Sequence, residues 1–127
     1  MQTNTRELIV QKSPEEVYKF IKDPENYLSG MRNVEVSGRS ATFSVPLFGS
    51  IEATITNLVE NKKVVIYSDD INTSLVAELY KTEDNGTKIC ITSKSDPSCG
   101  FITNRLILNH IPDLLDSLVE NLESQIV

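Results

Sequence analysis

The chain has 127 residues, of which 39% are hydrophobic and 24% charged, values typical of one folded domain with a single core. Its formal net charge of −6 disfavours a nucleic-acid partner, because phosphate binding depends on clustered Lys and Arg. The first ten residues lack the apolar segment of a secretion signal, and no apolar run approaches the roughly 20 residues of a membrane span. We therefore predict one domain over residues 1–127 that is cytoplasmic and makes no stable membrane insertion.

The two cysteines, Cys90 and Cys99, have neither CxxC nor zinc-type spacing. In a reducing compartment they are expected to be free thiols. The chain also lacks a phosphate loop, GxGxxG, HExxH and a nucleophile elbow. We therefore predict no metal and no cofactor.

The N-terminal part of the chain predicts a strand followed by two short helices. Residues 5–12 show a short period-two alternation, which indicates a strand. Ser13 can cap a helix that has Pro14 in its first turn, and Asp23 ends that helix because it precedes a proline. Asp23 can also cap a second short helix over residues 24–28.

A run of period-two segments follows and predicts six half-buried antiparallel strands, each with one apolar face. The facing of residues 64–67 is ambiguous, because four apolar residues stand in a row. Asn85-Gly86 predicts a type I′ hairpin turn, since both residues tolerate a positive φ. The strands are predicted around residues 34–36, 41–47, 51–55, 64–67, 75–79 and 87–94.

Residues 100–127 form one long amphipathic pattern, with a leucine- and isoleucine-rich stripe opposite acidic residues. Pro112 stands inside it, so a kink or break is expected near His110. A meander of strands with an unpaired apolar face needs a cover, and this helix is the only element large enough to supply it. With no Trp and 6% aromatic residues, an internal cavity is plausible. The predicted fold class is α+β.

The N-terminal segment also resembles a known superfamily. Residues 8–18, with the sequence LIVQKSPEEVY, and the following Asp23-Pro24-Glu25 resemble the start of START-like (helix-grip, SRPBCC) proteins, which include polyketide cyclases and dehydratases and lipid-transport domains. Gly30-Met31 before the second strand is similar to a turn in a family of carbon monoxide dehydrogenase accessory proteins, although Ser29 stands where that family has a proline. The resemblance implies a seven-stranded antiparallel sheet curved around the C-terminal helix, with a hydrophobic cavity between them.

Candidate ligand-binding residues come from the predicted inward faces. The polar candidates have alternatives: Tyr67 belongs to the strand of unclear facing, Asn104 could be turned outward by a kink, and His110 could be a partly exposed residue bonded to a backbone carbonyl. The apolar candidates are Val10, Phe43, Val45, Ile55, Leu79, Ile91, Ile107, Ile111, Leu114 and Leu118.

Three functions fit this pattern. The first is binding or carrying a small hydrophobic molecule, and the second is an enzyme of the cyclase/dehydratase kind that uses one or two polar cavity residues. The third is an accessory protein of the carbon monoxide dehydrogenase kind. An almost wholly apolar inner wall favours the first. The predicted partner is a small apolar ligand, and the chain is expected to be a monomer or a homodimer.

Overall fold

The computed structural model describes residues 2–23, 26, 32–45, 49–70, 72–95 and 101–126, without the side chains of residues 2, 32, 45, 49, 101–111 and 114. Within these ranges the chain forms seven strands and two helices, as the α+β prediction requires. The elements are β1 (Gln2–Val10), α1 (Pro14–Ile21), β2 (Arg32–Ser37), β3 (Ser40–Val45), β4 (Gly49–Val59), β5 (Lys63–Ser68), β6 (Thr73–Lys81), β7 (Thr87–Ser95) and α2 (Phe101–Ile126).

The seven strands form one sheet in the order β1-β7-β6-β5-β4-β3-β2, with every neighbouring pair antiparallel. Strands β2 to β7 therefore make a meander, and β1 returns to pair with β7. Both helices lie against one face of this sheet: α1 contacts β5 and β6, and α2 contacts β1 and β7. We call this face the inner face.

Helix α1 begins as the sequence predicts. The Ser13 hydroxyl accepts the Glu16 backbone N–H at 3.3 Å, and Pro14 occupies the first turn. The helix ends where the Lys22 N–H donates to the Tyr18 carbonyl at 3.0 Å. The second short helix, predicted over residues 24–28, lies outside the described residues except for Asn26.

Helix α2 is one element from Phe101 to Ile126 and includes Pro112, so the chain does not break near His110. Its buried side chains recur at helical spacing along the stripe that the sequence predicts, which explains how one helix covers the sheet. Among the described helices, none combines the length and apolarity that crossing a membrane needs. The buried stripe consists of Leu115, Leu118, Leu122 and Ile126.

The β6–β7 hairpin differs from the type I′ turn expected at Asn85-Gly86. Asn85 has a φ of +64°, but Gly86 does not have a positive φ. The Asn85 N–H donates to the Thr82 carbonyl at 3.3 Å, so Glu83 and Asp84 are the central residues of the tight turn, two positions earlier than expected. Gly86 is required for a different reason, since a Cβ there would lie 2.6 Å from the Val10 carbonyl oxygen.

Candidate ligand-binding site

A cavity of about 50 Å³ lies between the inner face and the two helices. The side chains described in its wall are all aliphatic, so they offer a ligand apolar contact and no hydrogen bond. Each of the two helices and three of the strands contribute to it. The lining side chains are Ile21, Val64, Ile66, Leu75, Ala77, Ile91, Leu118 and Leu122.

The pairing of β5 with β6 resolves the ambiguous facing of residues 64–67. Val64 pairs with Ala77 and Ile66 with Leu75, and all four line the cavity. Because side chains alternate along a strand, Tyr67 lies on the outer face. Its hydroxyl donates to the Asn72 side-chain oxygen at 2.9 Å. The structure therefore places Tyr67 on the opposite face of the sheet from the cavity wall, and it does not bring this predicted site residue together with the others.

The other predicted site residues with described side chains all lie inside the protein. Ile91 and Leu118 line the cavity itself. Val10, Ile55 and Leu79 are buried in the core cluster around the cavity. Phe43 is also buried, but on β3, and it does not line the cavity. The side chains of Val45, Asn104, Ile107, His110, Ile111 and Leu114 lie outside the described residues.

Six residues that line the cavity were not among the predicted site residues, although the sequence carried a signal for most of them. Ile21 belongs to the apolar face of α1, Leu75 and Ala77 alternate with outward residues, and Leu122 belongs to the stripe of α2. The remaining two, Val64 and Ile66, required knowledge of the facing of β5. That facing is determined by strand pairing and cannot be read from the local sequence.

Beyond the cavity the inner face becomes polar. In the row next to Ile91, Asn4 on β1 pairs with Ser93 on β7, and both side chains face the helix side of the sheet. One row further, the Thr73 and Ser95 hydroxyls hydrogen-bond to each other at 3.1 Å. We call Asn4, Ser93, Thr73 and Ser95 the polar corner. Ser93, Ser95 and Thr73 are buried, and none of the three was predicted to be an inward polar residue.

An ion pair borders this region. Arg6 pairs with Ile91 across β1 and β7, and its Nε donates to Asp116 Oδ1 on α2 at 2.5 Å. This hydrogen bond holds the pKa of Asp116 below its usual value and, together with the charge of Asp116, raises that of Arg6. Arg6 therefore has its charge compensated from within the chain.

The described residues do not bring together three or more His, Cys, Asp or Glu side chains in a group that could hold a metal ion. Cys90 lies on the outer face, where it pairs with Glu7 and Glu78, and it is a free thiol. Burial, followed by the nearby charge of Glu7, raises the pKa of Cys90. Because Cys90 lies on the outer face, its thiol does not provide a nucleophile in the cavity.

No protein-family model and no curated protein matches this chain. Solved structures do match it over almost its whole length. The protein XoxI from Bacillus cereus has a TM-score of 0.73 at 14% identity, covering 98% of this chain and 94% of that one. Protein BH1534 from Bacillus halodurans has a TM-score of 0.72 at 16% identity, covering 100% and 98%. The Aha1 dimer from Colwellia psychrerythraea has a TM-score of 0.61 at 16% identity, covering 91% and 92%. At this low identity the likeness concerns architecture alone, and the seven-stranded antiparallel sheet with its C-terminal helix is consistent with a helix-grip fold.

Proposed function

We propose that this protein binds a small apolar molecule between the inner face of the sheet and α2. The observation that carries the proposal is the aliphatic cavity, whose eight described lining side chains contain no hydrogen-bonding group. Burial of apolar ligand surface in such a wall is favourable by roughly 25 cal/mol per Å². START-like folds commonly hold hydrophobic ligands in this place, which supports the same proposal.

The size of the cavity decides how binding takes place. An engineered cavity of roughly 150 Å³ binds benzene, whereas this cavity measures about 50 Å³ and is partly open. Enclosing a ligand with even one aromatic ring therefore requires the cavity to widen. Leu118 and Leu122 are the α2 residues that line it, so we expect α2 to move away from the sheet when a ligand enters.

The cyclase/dehydratase alternative receives less support. General acid–base catalysis needs a titratable group within hydrogen-bond reach of the substrate, and none of the eight lining side chains that the structure describes is titratable. The accessory alternative, including closeness to the carbon monoxide dehydrogenase accessory proteins, is also less supported. Of the large exposed apolar side chains described, Val59 and Tyr80 line one surface groove, but charged side chains such as Lys62 and Lys63 line it with them. Lys88 separates Tyr80 from the third, Ile9, in the strand register, so the described residues do not form a continuous apolar patch.

Native mass spectrometry of freshly purified protein tests the proposal directly, because a carrier is expected to retain a co-purified small molecule. A second test is titration with ethylbenzene, followed by amide chemical shifts in NMR spectra. Ala77→Val adds two methyl groups to the cavity wall and should abolish binding while the protein stays folded. Val76→Leu, on the outer face of the same strand, is the matched control and should bind ethylbenzene like the wild type.

Unchanged ethylbenzene affinity in a folded Ala77→Val protein would contradict the proposal.

The Aha1 structure in the comparison is a dimer, and we propose that this chain is a monomer or a homodimer. Light scattering of the purified protein measures this directly.

A further inference from the structure

Two buried polar atoms on the inner face have no hydrogen-bond partner in the described part of the chain. These atoms are Asn4 Nδ2 and Ser93 Oγ. They belong to residues directly opposite each other in the β1–β7 register. Ser93 is 1% exposed, so solvent does not reach its hydroxyl.

Native proteins satisfy the great majority of buried polar atoms, because an unpaired buried donor costs the free energy of its lost hydration. The neighbouring row follows that rule, since Thr73 and Ser95 bond to each other. Asn4 and Ser93 are an exception next to a candidate ligand cavity. A ligand atom that accepts hydrogen bonds would remove both unpaired donors at once.

The positions of the two residues suit this role. Ser93 follows the cavity-lining Ile91 by two residues on the same face, about 6.6–6.8 Å along the strand. Its partner on the other side, Leu75, also lines the cavity. A molecule whose apolar body occupies the cavity can therefore extend a polar end to Asn4 and Ser93.

The charges around the pair indicate which polar end fits. Both unpaired groups can donate a hydrogen bond, and both are uncharged. The nearest cation on the inner face of β1 is Arg6, two residues from Asn4, and its Nε already donates to Asp116. Among the side chains that the structure describes, a ligand carboxylate would consequently be buried without a free positive charge to compensate it.

We propose that Asn4 and Ser93 bind the oxygen of an uncharged ligand, a carbonyl or hydroxyl compound whose apolar part lies in the cavity. The proposal rests on the proposed function and names the ligand class of that same site. It predicts a ligand that is neither a pure hydrocarbon nor a fatty-acid-like anion.

Three single-ring probes of similar size test it: ethylbenzene, acetophenone and benzoate, titrated against the wild type, Ser93→Ala and Ser74→Ala. Ser74 lies on the outer face of β6 and gives the same substitution away from the cavity. Ser93→Ala should weaken acetophenone binding roughly three- to tenfold, the effect of one hydrogen bond. Ethylbenzene affinity should change less than twofold, Ser74→Ala should change neither, and benzoate should bind more weakly than acetophenone throughout.

The outcomes separate the two proposals. If ethylbenzene and acetophenone both bind but Ser93→Ala affects them equally, Ser93 does not bind the ligand oxygen. This inference is then wrong and the proposed function stands. Tighter binding of benzoate than of acetophenone also overturns the uncharged-ligand inference. If neither neutral probe binds, the proposed function fails and this inference fails with it.

A measurement without any ligand gives an independent check. Removing an unpartnered buried hydroxyl should leave the melting temperature of the free protein unchanged or raise it. A clear fall in the melting temperature of Ser93→Ala, with Ser74→Ala unchanged, would mean that the hydroxyl is already bonded in the free protein. That result would overturn the inference.

Discussion

Arg6 Nε lies 2.5 Å from Asp116 Oδ1, and this ion pair joins the first strand to the C-terminal helix across 110 residues of sequence. The pair stands at the edge of the sheet where α2 contacts β1. It is partly exposed, with 34% of the Arg6 side chain and 53% of the Asp116 side chain accessible to solvent. Its contribution to stability is therefore small, but it has a definite pH dependence.

The pH dependence follows from the lowered pKa of Asp116, whose main cause is the hydrogen bond from Arg6. A carboxyl whose pKa is lower in the folded than in the unfolded state stabilises the fold above its unfolded pKa, about 3.9. That stabilisation is lost as the pH falls through the folded pKa. Asp116→Asn should lower the melting temperature slightly at pH 7 and make it less dependent on pH below about 4. Asp113→Asn, an exposed residue of the same helix, is the control, and equal effects of the two variants would contradict the assignment.

Gly86 should tolerate no side chain. A Cβ at this position would lie 2.6 Å from the Val10 carbonyl oxygen, and the backbone cannot yield as a flexible side chain would. We expect Gly86→Ala to cost about 1–3 kcal/mol in the free energy of unfolding, measured by urea denaturation. Gly38 provides the contrast, since it has a φ of +60° and nothing within 4 Å of a Cβ. Gly38→Asn should cost little, because Asn adopts a positive φ readily, and a larger loss there than at Gly86 would refute the reasoning.

Cys90 should react slowly with thiol reagents at neutral pH. Burial is the main cause of its raised pKa, and the charge of Glu7 adds to it. A raised pKa leaves less of the reactive thiolate at pH 7. In a Cys99→Ser background, Glu7→Gln should speed alkylation by iodoacetamide, while Glu35→Gln on β2 should not. Equal rates in all three proteins would show that the charge of Glu7 does not act on the thiol.

Leu122 should contribute strongly to the packing of α2 against the sheet. It is 5% exposed and lines the cavity, so Leu122→Ala removes apolar contact and enlarges a space that is already present. We expect a loss of about 2–5 kcal/mol in the free energy of unfolding. The neighbouring Glu123 is exposed, and Glu123→Ala should change stability by less than about 0.5 kcal/mol. The same variant tests the cavity, since a folded Leu122→Ala protein should bind ethylbenzene more tightly than the wild type.

Much of the architecture could be predicted from local sequence. The cap at Ser13, the alternation within the strands and the buried stripe of α2 each arise from interactions among residues close in the chain. Such interactions are fixed by rotamer preference, capping and periodicity. The α+β class followed because a meander with one apolar face and one long amphipathic helix can bury both surfaces only against each other.

The turn at Asn85-Gly86 shows where local reasoning stops. The dipeptide favours a positive φ at both residues, but only Asn85 adopts it. Gly86 is instead held close to the Val10 carbonyl of a strand more than 70 residues earlier. The close approach to β1 leaves no room for a side chain at Gly86, and no local pattern contains that contact.

The candidate site depended still more on tertiary structure. Local sequence left the facing of Tyr67 and its apolar neighbours ambiguous, and the pairing of β5 with β6 shows that Val64 and Ile66 face inward and Tyr67 outward. Sequence likewise treated Ser93 as an ordinary strand residue, and only the register with Asn4 set two unpaired donors beside an aliphatic cavity. Periodicity states which residues of a strand share a face. Strand pairing and packing across the whole sheet decide which of the two faces meets the helix. They also decide which side chains from distant strands become neighbours.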